Sequence, residues 1–120
     1  MKTSSAKSKG RNLQKKVRDA ILATFSDLTD RDVRSTPMGS SGVDVQLSEA
    51  AIKRFPYSVE CKVRSRMAVF DLWSDTTDNL ADNTHPVLVI KQDYSSPLVV
   101  ITLEHFMELT KRANQETSTD

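Results

Sequence analysis

Residues 43–63 read VDVQLSEAAIKRFPYSVECKV, and the two ends of this stretch decide the fold. In VDVQL, Val43, Val45 and Leu47 alternate with Asp44 and Gln46. Successive side chains of a strand point to opposite faces, so a strand here buries one face and presents Asp44 on the other. YSVECKV repeats the pattern: Tyr57, Val59, Cys61 and Val63 share one face, and Ser58, Glu60 and Lys62 share the opposite one. The connection SEAAIKRFP is too long for a tight hairpin turn and predicts a helical turn ended by Pro56. If the two strands are neighbours, two carboxylates and an ammonium converge on one side of a sheet.

Upstream, Leu13, Val17, Ala20, Ile21, Phe25 and Leu28 recur at three- and four-residue steps. That is the apolar stripe of an amphipathic helix starting near Gly10 and ending around Asp27 to Asp30. DVRSTPMGSSG predicts a short strand at Asp32–Thr36, broken into a loop by Pro37 and the Gly/Ser cluster. Downstream, MAVFDLWSDTTDNL places Met67, Phe70, Trp73 and Thr77 at helical spacing, although SDTTDN is a poor helix former. Phe70 and Trp73 are assigned to packing of this helix on the sheet or to a dimer contact. PVLVIKQ and PLVVIT are continuous apolar runs, as in strands covered on both faces. Thr102 is placed to cap a last helix, LEHFMELTKRA, with Glu104 in its first turn and Lys111 and Arg112 in its last. His85 and His105 fall on different elements, read as a loop residue before Pro86 and a helix-start residue.

The order helix, three strands, helix, strand, strand, helix predicts an α/β single domain with a central mixed β-sheet flanked by helices. Its expected bounds are residues 10–113, after a flexible basic arm at 1–9 and before a disordered tail at 114–120. A chain of 120 residues has room for one core, and its apolar runs are too short to cross a bilayer. Met1 to Arg18 is polar, without the apolar segment of a signal peptide, so an intracellular location with no membrane contact is expected. Cys61 is the single cysteine, which excludes an internal disulfide and any zinc site built from several thiolates. The net charge of +1 hides an asymmetry: residues 1–18 carry seven basic side chains and no acid, leaving the rest at −6. A basic block of this kind attracts polyanions, because each phosphate it neutralises releases counterions.

Two carboxylates held close together repel, and a divalent cation is the usual remedy. Magnesium suits such a site, since it takes one or two carboxylates and fills its other positions with water and phosphate oxygens. Asp44 and Glu60 are therefore the candidate metal ligands, with the backbone carbonyl of Cys61 as a third. Lys62, two residues beyond Glu60 on the same face, is placed to reach an attacking water or the growing negative charge on phosphate. The Cys61 thiol points into the core and is read as inert.

SGVD and VECK, together with KGRNLQKKVRDAIL, RSTPMGSSGVDVQLS, FPYSVECK and PLVVITLEHFMEL, resemble the PD-(D/E)xK nuclease superfamily. More narrowly, they resemble small phage-encoded endonucleases and Holliday junction resolvases. The likeness runs from about Lys9 to Leu109. It implies an αβββαβ core, here with an extra C-terminal strand and helix, and hydrolysis of DNA phosphodiesters with magnesium, for which manganese can substitute. Asp44, Glu60 and Lys62 carry the implied catalytic roles. Many members of the superfamily place a glutamate on the first helix, where this chain has Gln14. Relatives often place a glutamine on the helix after the Glu-x-Lys strand, where this chain has Asp75. Both are accessory candidates.

The implied partner is DNA, branched or four-way, bound by a homodimer in the cytoplasm of a bacterial host if the chain is phage-encoded. Candidate DNA contacts are Lys7, Lys9, Arg11, Lys15, Arg34, Arg64 and Arg66. The alternatives are a nicking or single-strand endonuclease of the same fold, a non-catalytic DNA-binding module, and an assembly protein that uses its apolar faces.

Overall fold

YSVECKV forms a seven-residue strand at the centre of the molecule. The computed structural model describes residues 2–37 and 42–118. In chain order its elements are α1 (Lys2–Thr24), β1 (Val33–Ser35), β2 (Val45–Leu47), α2 (Glu49–Arg54), β3 (Tyr57–Val63), α3 (Val69–Asp78), β4 (His85–Lys91), β5 (Leu98–Val100) and α4 (Leu103–Ser118). β3 pairs in parallel with β4 along its whole length, from Tyr57 opposite His85 to Val63 opposite Lys91. Parallel neighbours need a crossover, and α3 supplies it. β5 returns antiparallel to β4, so the order in this mixed sheet is β3-β4-β5.

β1 and β2 form a separate antiparallel ladder, Val33 opposite Leu47 and Ser35 opposite Val45. The central mixed sheet expected from sequence is the β3-β4-β5 sheet, and the β1-β2 ladder meets it at one residue. The Asp44 N–H donates to the Val59 carbonyl at 3.0 Å, and the next β3 donor in line, the Cys61 N–H, is taken at 2.7 Å by the Asp44 carboxylate. A side chain occupies the place of the next backbone rung, and regular pairing of β2 with β3 stops there.

The alternation sorts the faces as expected. Val59 and Cys61 join Leu13 and Ile21 of α1, Val33, Val45, Ala51, Val87 and Val89 in one core. On the opposite face α3 covers β3 and β4, where Leu88 and Thr76 are fully buried. α2 is the short helix expected between the strands. Its N-cap Ser48 accepts from the Ala51 N–H at 3.1 Å and donates to Asp32 at 2.7 Å, fixing the entry to β1. At α4 the Thr102 hydroxyl accepts from the His105 N–H at 3.1 Å, the cap read from sequence.

Several expectations are corrected. α1 begins at Lys2 rather than near Gly10, so residues 2–9 are its first turns. Extending a formed helix costs one residue's ordering per hydrogen bond gained, and Gly10 alone, at about 1 kcal/mol, does not stop it. α4 likewise runs through most of the expected tail, to Ser118. β5 is not covered on both faces: it is an edge strand, and Leu98 and Val99 are exposed. The loop expected at Gly39–Ser41 lies outside the described residues.

Leu88→Ala removes a fully buried side chain from the central strand of the mixed sheet. The expected cost is about 2–5 kcal/mol, read as a lower urea midpoint at unchanged slope. A midpoint equal to the parent's would contradict the central position of β4.

Candidate active site

Asp44 is held from two sides. Gly42, at φ +97°, turns the chain in a region that side chains rarely adopt, and the next residues enter the ladder. The Asp44 carbonyl accepts from the Thr36 N–H at 2.9 Å, and the Thr36 hydroxyl donates to the Val43 carbonyl at 2.6 Å. With its own N–H on Val59 and its carboxylate on the Cys61 N–H, Asp44 is fixed between β1 and β3.

Glu60 lies on the other face of β3 from the core, only 4% exposed, with its carboxyl close enough to hydrogen-bond that of Asp44. Asn79 donates to Glu60 Oε1 at 3.0 Å. Burial, followed by the neighbouring Asp44 charge, pushes the Glu60 carboxyl up to about 7, against the opposing pull of Asn79 and Lys62. Lys62 does not lie free beside the acids: its Nζ is 2.9 Å from Asp75 Oδ2.

The order of these contacts follows from two repeats. Glu60 and Lys62 are two residues apart on a strand, about 6.6 Å. Asp75 and Asn79 are four apart on one helix face, about 6 Å along the axis. The near-equal spacing lets α3 meet the strand pair at both points, with Asn79 on Glu60 and Asp75 on Lys62. The resemblance pointed to Asp75, and it does reach the site. Asn79, the C-cap residue four beyond Asp75, was missed.

Among the described residues no group of three or more His, Cys, Asp or Glu side chains converges. The donor set is two carboxylates, one still rich in protons, with the nearby ammonium already neutralised by Asp75. That suits a hard divalent cation that keeps water and phosphate oxygens as its remaining ligands. The Cys61 carbonyl fits as a further donor. A strand residue's N–H and C=O leave on the same side, and the Cys61 N–H faces Asp44, away from β4. Its thiol is buried, and desolvation pushes it well above the ordinary thiol range, consistent with the inert reading.

The remaining expected residues divide. Gln14 is buried, and its Oε1 accepts from the Ser35 hydroxyl at 2.7 Å, tying α1 to β1 beside Asp44's neighbour Val45. Lys7, Arg11 and Lys15 are exposed at four-residue steps, one row along α1. Lys9 is ion-paired with Asp93 at 2.9 Å. Arg34 is exposed on β1, and Arg64 and Arg66 are exposed just beyond β3. Trp73 is half-buried, but Phe70 is 90% exposed and packs on nothing in the core. His85 opens β4 rather than lying in a loop, and its ring stacks on His105 with centroids 4.2 Å apart.

Glu60 makes stability depend on pH. Below its ordinary value of 4.5 both folded and unfolded chains carry the proton; above it the unfolded chain releases the proton while the folded chain keeps it to about 7. The contribution is therefore full in acid and is lost as the pH rises through about 7, on the order of 1–3 kcal/mol. In chelator, Glu60→Gln should flatten this decline and exceed the parent in thermal stability at about pH 8. Parallel pH profiles for the two proteins would refute the assignment. No family model, characterised protein or solved structure matches the chain, so the reading of the site rests on its own geometry.

Proposed function

We propose that the chain is a magnesium-dependent DNA endonuclease, acting as a homodimer on branched or four-way DNA. The observation that carries this reading is the pair of Asp44 and Glu60 carboxyls held together at the junction of two ladders, with Lys62 two residues on. Asp44, Glu60 and the Cys61 carbonyl would hold the cation. A cation there supplies positive charge to the phosphate undergoing attack and lowers the pKa of water.

The chain's own groups do the rest. The Cys61 N–H and Asn79 orient the two carboxylates before any ligand arrives. Asp75 holds the Lys62 ammonium in place, poised to orient the attacking water or to offset charge on the phosphate oxygens. The exposed row of Lys7, Arg11 and Lys15 suits the phosphate backbone, which carries affinity without base reading. A junction is resolved by two cuts, and one protomer offers one site, so two-fold pairing supplies the second.

One observation favours a second reading. Phe70, exposed four residues beyond Arg66, suits stacking on an unpaired base, as a nicking or single-strand endonuclease would use.

Incubation with duplex, nicked, single-stranded and four-way DNA, with and without magnesium, separates these readings. Symmetric paired cuts in the junction alone support the first; cuts confined to single strands support the second; no magnesium-dependent cleavage of any substrate sinks both. Asp44→Asn and Lys62→Ala should abolish cleavage while binding persists, and normal cutting by either removes the mechanism. Replacing Lys7, Arg11 and Lys15 with Ala should reduce the slope of log affinity against log salt by roughly 0.9 for each lost phosphate contact. An unchanged slope would detach α1 from the DNA.

A further inference from the structure

α4 is docked the wrong way round for a helix that completes a monomer. An amphipathic surface helix normally turns its apolar stripe to the core. In α4 the side facing the body carries His105 and Leu109, and its anchor is polar. His105 Nε2 is 2.8 Å from the Tyr57 hydroxyl, and its ring stacks on His85. Leu103, Phe106 and Met107, at three- and four-residue steps on the outer side, are 76%, 55% and 55% exposed.

Beside this ridge lies an open groove of about 570 Å³, lined among others by Val17, Phe25, Val89, Val99, Ile101 and Leu109. β5, which forms one margin, has no partner on its outer edge among the described residues. It carries no charged residue: its three are Leu98, Val99 and Val100. Its three-residue length and Pro97 just before it limit edge-to-edge pairing, so what it offers a partner is its exposed apolar side chains, Leu98 and Val99.

We propose that this face, the outer ridge of α4 with the adjoining groove and the β5 edge, is where a second copy of the chain docks. One chain carries both an apolar ridge and an empty apolar groove, the self-complementary pairing that a two-fold contact requires. Val99, Leu103, Phe106 and Met107 are each more than half exposed and form the apolar centre of this face. The groove walls extend this towards the about 800 Å² per partner of a standard stable interface. The net charge of +1 sets little repulsion between copies. The inference names the interface of the proposed homodimer, but it rests on this surface and not on the nuclease reading.

The test is the mass of the full chain by light scattering and sedimentation across a concentration series. The parent should be a dimer. Phe106→Glu with Met107→Glu should raise the dimer dissociation constant on the order of 100-fold. Leu103→Glu, a single change at the most exposed of the three, checks the result independently. Circular dichroism and the unfolding midpoint should match the parent's, because these side chains are open to solvent in the protomer. A monomeric parent overturns the proposal, as does a variant that dimerises like the parent. A monomeric parent that binds a fluorescent apolar dye in the groove assigns the groove to a different occupant. Junction cleavage by the monomeric variant keeps the two readings apart. Loss of paired cuts with retained single nicks supports both, whereas a parent that dimerises through this face and cuts nothing leaves the interface standing and removes the nuclease.

Discussion

The bond from the Cys61 N–H to the Asp44 carboxylate is the constraint on which the rest of the site depends. It replaces a rung of backbone pairing with a side chain, and thereby ends the β2–β3 contact where the two ladders meet. The same bond draws Asp44 against β3, next to Glu60. A fully paired sheet would be more regular, but the Asp44 side chain would then have no donor to fix it there.

Placing two carboxyls together in a half-buried cleft is unfavourable, and the neighbouring groups reduce the cost only in part. Asn79 and Lys62 pull Glu60 towards its charged form, while burial and Asp44 push the other way and prevail. Lys62 is itself ion-paired with Asp75, and its pull is the smallest of the influences on Glu60. The chain therefore keeps two carboxyls in contact whose mutual repulsion its own cation does not remove. Groups arranged for stability alone would have put Lys62 between the carboxylates. Retention of the proton on Glu60 up to about 7 relieves the repulsion in the folded chain.

Period-2 alternation in VDVQL and YSVECKV was enough to assign faces, because one face of each strand is buried and a one-residue slip would expose the core. It also placed Glu60 and Lys62 on the face of β3 away from the core, whereas Asp44 lies in the bend before β2 and reaches the backbone of β3. Asn79 was not legible in the same way, since its role depends on how far along β3 the helix α3 sits, which is a tertiary distance. The extents of α1 and α4 were misjudged for a related reason. Residue composition at a helix end is weak against the low cost of extending a helix already anchored by Leu13 or His105. The stacking of His85 on His105 unites residues twenty positions apart on different elements, and no local pattern announces it. The β5 run was misread because an apolar strand at an uncovered edge has the same sequence as one inside a sheet.

Cys61 takes part in all of this through its main chain, while its side chain fills a small space in the core. Nothing the site asks of position 61 is specific to sulfur. A small apolar side chain of similar volume would serve there equally well, which opens a cysteine-free background into which single thiols could be introduced for spectroscopic labels. The contact this position makes with Asp44 resides in the peptide group, so a change of side chain there would leave its donor in place.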